Sequence, residues 1–235
     1  MSILIILHGW QSSKEKWEDV KKLIKKEKIE VIIPDLPGFK EETQLKEVWG
    51  LDDYVQWLRR CSSGIKKFFL LGYSFGGRIA IKFASKYPES LAGLILVSAA
   101  GLKHKKNLWQ RLMFLIATLG KKFSFLPLFS YFRRIFYRFL VRKMDYVRTE
   151  GFLKETFIKT TEEDLAPYLS KISVPTLIIW GKKDNITPLS DAYFIKKEIK
   201  NSTLEIIEEA GHLINLEAPE KLSEIVSRFI KHKIY

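Results

Sequence analysis

Gly72-Tyr73-Ser74-Phe75-Gly76-Gly77 is the stretch that decides how this sequence is read. It is a G-x-S-x-G pattern between an apolar run at 68–71 and a helical pattern from Phe75 to about Lys86. A serine in that setting sits on a tight strand-to-helix turn that lifts its Oγ clear of the sheet. The glycines follow from the same geometry, because side chains at 72 and 76 would collide with neighbouring backbone. The helix starting near Phe75 also turns the positive end of its dipole towards the serine. A glycine-rich turn with an incidental serine has the same letters, so Ser74 needs partners before it reads as a nucleophile.

A serine hydroxyl is a weak nucleophile without an adjacent base. Of the four histidines, His232 lies in the charged C-terminal tail, His104 sits among lysines and His8 ends the first apolar run. His212 follows Ala210-Gly211 in a loop after the last predicted strand. From there a base reaches a serine at the same carboxyl edge of a parallel sheet. Asp184 closes Trp180-Gly181-Lys182-Lys183-Asp184, also directly after a strand, and is the candidate to orient His212. It reads equally as a turn aspartate ahead of Asn185-Ile186-Thr187-Pro188, and Asp191, Glu208 and Glu209 are rivals. The order Ser74, Asp184, His212 suits a triad of this type. Two backbone N–H groups should receive the developing oxyanion. One is that of Phe75, and the other is that of Trp10 in His8-Gly9-Trp10, where Gly9 lets the chain turn closely.

Working outward, short apolar runs alternate with helical patterns. Strands are predicted at 3–7, 30–33, 68–71, 91–97, 176–180 and 203–207, with helices between them. Ser13 is placed to cap a helix carrying Trp17, Val20, Leu23 and Ile24 on one face. This is the pattern of an α/β domain around a mostly parallel sheet, whose strands are apolar on both faces.

The 235 residues, 46% apolar, suffice for one domain or one domain with an insertion. The single cysteine, Cys61, excludes an intrachain disulfide and a cysteine metal cluster, and is expected to pack near a helix end. No stretch has the roughly 18 apolar residues of a membrane span. The N-terminus reads as a core strand, not a signal peptide, which points to the cytoplasm.

The motifs together resemble the α/β-hydrolase-fold enzymes of the serine-nucleophile branch. The resemblance is carried by Leu7-His8-Gly9-Trp10, Pro34-Asp35-Leu36-Pro37-Gly38, the elbow at 72–77, Tyr87-Pro88-Glu89, Pro175-Thr176-Leu177, the segment 181–184, Ala210-Gly211-His212 and Glu217-Ala218-Pro219-Glu220. It covers nearly the whole chain outside an insertion. The chain starts on what resembles the family's third strand, so a sheet of about six parallel strands is expected. The resemblance implies hydrolysis of a carboxylic ester or thioester with an apolar acyl part, through an acyl-enzyme and without metal or organic cofactor. Hydrolysis of a carbon–carbon bond in a diketone-like acid stays open, as does a non-catalytic binding protein on the same scaffold.

In this family an insertion after the sixth strand forms a helical lid. Residues about 101–170 hold that position, leaving 1–100 and 171–235 as the core domain. The formal net charge of +13 is concentrated there: residues 101–149 carry twelve Lys/Arg against one acid, Asp145. Arg134, Arg138 and Arg142 form one basic stripe at i, i+4, i+8, opposite Phe132, Ile135, Phe136, Phe139 and Leu140. Three readings compete. The aromatic face covers the active site with the arginines in water; or the segment docks an anionic partner such as an acyl carrier protein, as the similar pimeloyl-carrier methyl ester esterases suggest; or it attaches peripherally to an anionic inner membrane surface. No nucleic-acid recognition motif accompanies it.

Overall fold

The structure is a computed structural model that describes residues 2–103 and 151–232. The chain divides into two compact units, Met1–Leu102 with Gly151–Tyr235, and Lys103–Glu150. Every described strand and helix belongs to the first. The strands are β1 (Ser2–Leu7), β2 (Ile29–Ile32), β3 (Phe68–Tyr73), β4 (Leu91–Val97), β5 (Thr176–Gly181) and β6 (Ser202–Ile207). The helices are α1 (Glu18–Lys26), α2 (Leu51–Cys61), α3 (Phe75–Lys86), α4 (Gly151–Glu162), α5 (Ala166–Leu169), α6 (Leu189–Glu198), α7 (Ile214–Glu217) and α8 (Pro219–His232). Among the described residues no helix is long and apolar enough to cross a membrane.

All six strands form one sheet in the order β2-β1-β3-β4-β5-β6, each pair parallel. The unbroken apolar runs have a direct cause. Alternate residues of each inner strand enter two separate cores, one on each face. Ile5 and Leu7, Phe68 and Leu70, Leu94 and Leu96, and Ile178 and Trp180 face the core that includes α2, α3 and α6. Their neighbours Leu4 and Ile6, Phe69 and Leu71, Ile95 and Val97, and Leu177 and Ile179 face Val20 and Ile24 of α1 and Leu222, Val226 and Ile230 of α8. Each buried Leu, Ile, Val or Phe among them contributes roughly 1.5–3 kcal/mol, so both faces must stay apolar. Edge strand β2 alternates buried and exposed residues, as one-sided cover requires.

The register decides where the site forms. Leu7 pairs with Gly72, Tyr73 with Val97, and Val97 with Ile179. The loops after β1, β3, β4 and β5 therefore leave the sheet along one carboxyl edge, where open α/β sheets bind their ligands.

Two local expectations are corrected. A 3-10 turn, Lys14–Trp17, comes before α1, so Ser13 stands a turn too early and makes no side-chain cap bond. Cys61 ends α2 but is exposed: three residues after Leu58 it lies at the margin of the buried stripe of Leu51, Tyr54, Val55 and Leu58, and burial passes to Ser62 instead.

Buried cations on α3 tie neighbouring segments to the nucleophile helix. The Arg78 guanidinium donates to the carbonyls of Thr160 (3.0 Å) and Glu163, at the end of α4, where carbonyls lack intrahelical donors. Burial draws its pKa down to about 10, which leaves it charged at neutral pH. One turn on, Lys82 lies 2.9 Å from Asp52 and 2.6 Å from Glu163.

Candidate active site

Ser74 lies between β3 and α3 with φ 51° and ψ −113°, a left-handed conformation that a serine adopts only under constraint. The constraint is visible. The Ser74 N–H donates to the Val97 carbonyl at 3.1 Å, and the Ser74 carbonyl accepts from Ala100 and Gly77 N–H at 3.0 Å each. A Cβ on Gly72 would stand 2.6 Å from both Ala80 Cβ and the Gly76 carbonyl oxygen. A Cβ on Gly76 would overlap the Leu7 carbonyl and lie 2.8 Å from that of His8. Backbone on both sides cannot withdraw cheaply. Gly76→Ala is therefore expected to destabilise the fold by about 3 kcal/mol or more, beyond ordinary overpacking. Urea denaturation checks it, and a midpoint equal to the parent's would contradict the close approach.

His212 and Asp184 arrive on two loops pinned to each other. Lys182 N–H donates to the Ile207 carbonyl and Lys183 N–H to that of Ala210, each at 3.0 Å. Gly211 N–H donates to Glu217 of α7, which fixes the loop just before His212. Tyr73, beside the serine, donates its hydroxyl to the His212 carbonyl at 3.1 Å, and its ring packs against the imidazole.

The structure brings the three predicted side chains into one line. His212 Nε2 is 3.1 Å from Ser74 Oγ, and His212 Nδ1 is 2.8 Å from Asp184 Oδ2. The carboxylate only accepts, so the ring proton belongs on Nδ1, and Nε2 is left with a lone pair facing the hydroxyl. Such a ring can take the hydroxyl proton and have its positive form stabilised.

Asp184 satisfies both roles open to it at once. Its Oδ1 accepts the N–H groups of Ile186 (2.8 Å) and Thr187 (2.9 Å), an Asx-type turn, while Oδ2 faces His212. Burial pushes this carboxyl up, but the hydrogen bonds from His212, Thr187 and Ile186 outweigh it and hold it below the ordinary carboxylate value. The rivals lie elsewhere: Asp191 is buried on α6, and Glu208 pairs with Lys182 at the surface. Thr187 is a neighbour that sequence reasoning missed. Its hydroxyl donates to Asp184 Oδ2 at 2.7 Å, and the available signal was a hydroxyl residue three positions after the aspartate.

Phe75 opens α3, so its N–H has no acceptor within the helix. Trp10 follows Gly9, where an added Cβ would lie 3.4 Å from Ser74 Cβ. The Trp10 ring packs 4.9 Å from Phe75, 4.8 Å from Phe39 and 4.7 Å from Phe157, an aromatic wall beside the serine. His8 holds the Gly9 loop. Its Nε2 accepts the Leu36 N–H at 3.2 Å, which assigns the proton to Nδ1, 2.9 Å from the Gly9 carbonyl. Burial lowers its pKa, in keeping with a neutral ring.

Arg134, Arg138 and Arg142, with His104, lie outside the described residues. Among the described residues no cluster of three or more His, Cys, Asp or Glu gathers as a metal site.

Comparison with known proteins adds the lineage. The profile of the alpha/beta hydrolase fold family matches residues 2–118 and 133–219. Monoacylglycerol lipase ABHD6 of Bos taurus is 30% identical over 97% of this chain and 74% of its own length. That of Mus musculus is 28% identical over 97% and 75%. A crystal structure of a membrane phospholipase A superposes with a TM-score of 0.76 at 24% identity, covering 99% of this chain and 79% of the other, a likeness of fold. An all-parallel sheet ending in a strained serine elbow and a profile match over most of its length have one reading: the chain belongs to the α/β-hydrolase fold family.

Proposed function

We propose that this enzyme hydrolyses carboxylic esters with an apolar acyl part through an acyl-enzyme on Ser74. The observation that carries the reading is His212 lying between Ser74 Oγ at 3.1 Å and Asp184 Oδ2 at 2.8 Å. Ser74 Oγ attacks the ester carbon as its proton passes to His212 Nε2, and the carbonyl electron pair moves onto oxygen. The N–H groups of Trp10 and Phe75 receive that oxyanion, each donor being worth roughly 2.7–4 kcal/mol in the transition state. Collapse expels the alcohol, which takes the proton from Nε2. Water repeats the sequence on the acyl-enzyme and releases the acid. Asp184 keeps its charge throughout and stabilises the transient imidazolium.

The aromatic wall of Trp10, Phe39, Phe75 and Phe157 suits an apolar acyl chain, and the relatives named as monoacylglycerol lipases make a monoacylglycerol the first natural ester to test. On aryl esters of increasing acyl length, kcat/KM is expected to rise about fourfold per methylene until the chain leaves the pocket, since each buried methylene is worth ~0.8 kcal/mol. A flat series would refute an apolar acyl site, and no turnover of any ester would refute the reaction.

The basic segment belongs to the same proposal as a lid, about 101–170, that meets an anionic lipid surface through Arg134, Arg138 and Arg142. A lipid ester substrate supports this choice over a carrier protein, and a net +11 over 101–149 supplies the attraction. Sedimentation with anionic vesicles should be salt-sensitive and absent with zwitterionic ones. Equal binding to both, or to neither, would remove the lipid surface.

A further inference from the structure

We propose that Thr187 is a positioning residue for the reaction: its hydroxyl locks the Asp184 carboxylate in the one orientation that serves His212. The inference rests on the Ser74–His212–Asp184 reading and extends it to a fourth side chain.

A carboxylate offers about four lone-pair sites, two on each oxygen. Asp184 has a donor for each. Oδ1 takes Ile186 N–H at 2.8 Å and Thr187 N–H at 2.9 Å, and Oδ2 takes Thr187 Oγ1–H at 2.7 Å and His212 Nδ1–H at 2.8 Å. The two backbone bonds fix Oδ1 but leave the second oxygen to be held by side chains alone. Thr187 Oγ1 also lies 3.3 Å from His212 Nδ1, so Asp184, His212 and Thr187 close a triangle. With its proton on Oδ2 at 2.7 Å, the hydroxyl turns away from its other acceptor, the Ser98 carbonyl at 3.3 Å.

Thr187 is itself held. Its carbonyl accepts the Trp180 indole N–H at 2.9 Å, which ties it to β5, and its side chain is buried between the ends of β4 and β5. A donor anchored on the sheet fixes the carboxylate better than a surface side chain or water would. The role also differs from packing. Removing the hydroxyl leaves a lone pair of a buried carboxylate unsatisfied, just where negative charge must face the imidazolium.

The test compares Thr187→Ser with Thr187→Ala. Both lose the methyl group, and only the second loses the hydroxyl. On an aryl ester, Thr187→Ser should keep kcat within about twofold of the parent, whereas Thr187→Ala should lose roughly tenfold with KM unchanged, the scale of one charge-assisted hydrogen bond. The downfield proton resonance of His212 Nδ1–H should persist in the serine variant and move upfield in the alanine variant. Equal kcat in the two variants would overturn the proposal, since the hydroxyl would then do nothing that the methyl does not. So would an alanine effect confined to KM, or an unmoved resonance. If the alanine variant does not fold, the resonance and kcat of Thr187→Ser decide: loss of either overturns the role. Ser74→Ala, assayed alongside, separates the two levels. With that variant inactive and Thr187→Ala unimpaired, only the role of Thr187 fails. An active Ser74→Ala would refute the triad and the role of Thr187 with it.

Discussion

Ser74→Ala is expected to lower kcat by roughly 10^5–10^6-fold, the scale on which a serine nucleophile fails when its base has nothing to activate. The fold should survive. The strained backbone at residue 74 is held by bonds from Val97, Gly77 and Ala100 to its main chain, none of which uses the hydroxyl. The substitution removes the 3.1 Å hydrogen bond between the hydroxyl and His212, so the stability change should stay under ~1 kcal/mol, a melting shift of at most about 2–4 °C for a chain this size. KM should change little, because the aromatic wall is untouched. A fluorophosphonate probe should label the parent and not the variant. Labelling of both would place the nucleophile elsewhere.

Asp184→Asn should lower kcat by about 10^4-fold, although the side chain hardly changes shape. The cause is a tautomer. Two backbone N–H groups, from Ile186 and Thr187, already donate to Oδ1, so the asparagine must keep its carbonyl oxygen there. Its NH2 group then faces His212 Nδ1 across the 2.8 Å gap. Two donors cannot meet, so Nδ1 becomes the acceptor and the ring proton moves to Nε2. An Nε2–H cannot accept the Ser74 proton, and the base is lost while the geometry stays. Steady-state kinetics with circular dichroism check this. A loss below about tenfold would show that Asp184 serves its turn alone.

Both variants probe residues whose legibility in the sequence differed for a physical reason. The elbow was readable because its letters, Gly72, Ser74 and Gly76, stand together in the chain, although the carbonyls that demand glycine at 76 belong to Leu7 and His8 at the end of β1. The strands were readable because burial on two faces demands apolar residues without interruption. Asp184 was ambiguous because the letters Asp-Asn-Ile-Thr-Pro satisfy an Asx-type turn whether or not a histidine stands opposite. The structure shows that the turn uses one carboxylate oxygen and the histidine the other. Cys61 was misplaced because the period of α2 gives no warning of where its buried stripe ends.

Other parts depended on distant partners and left no local mark. His8 read as the end of a strand; its grip on the Gly9 loop needs the Leu36 N–H from another connection. Arg78 and Lys82 are charged letters within a helical pattern, yet they are buried and hold the end of α4 and the start of α2. Thr187 read as a residue before a proline.

By itself the sequence determined the parallel α/β class and the serine elbow, because burial on two faces demands unbroken apolar strands and a turn this tight demands glycine; it nominated His212 by its place after the last strand. Only the tertiary structure decided which oxygen of Asp184 meets His212 and which hydroxyl shares it. Ser74 and His212 are 138 positions apart in the chain, and nothing in the intervening letters sets their separation. The register of β3, β4, β5 and β6 does, by ending those strands at one edge, where the loops they carry must meet.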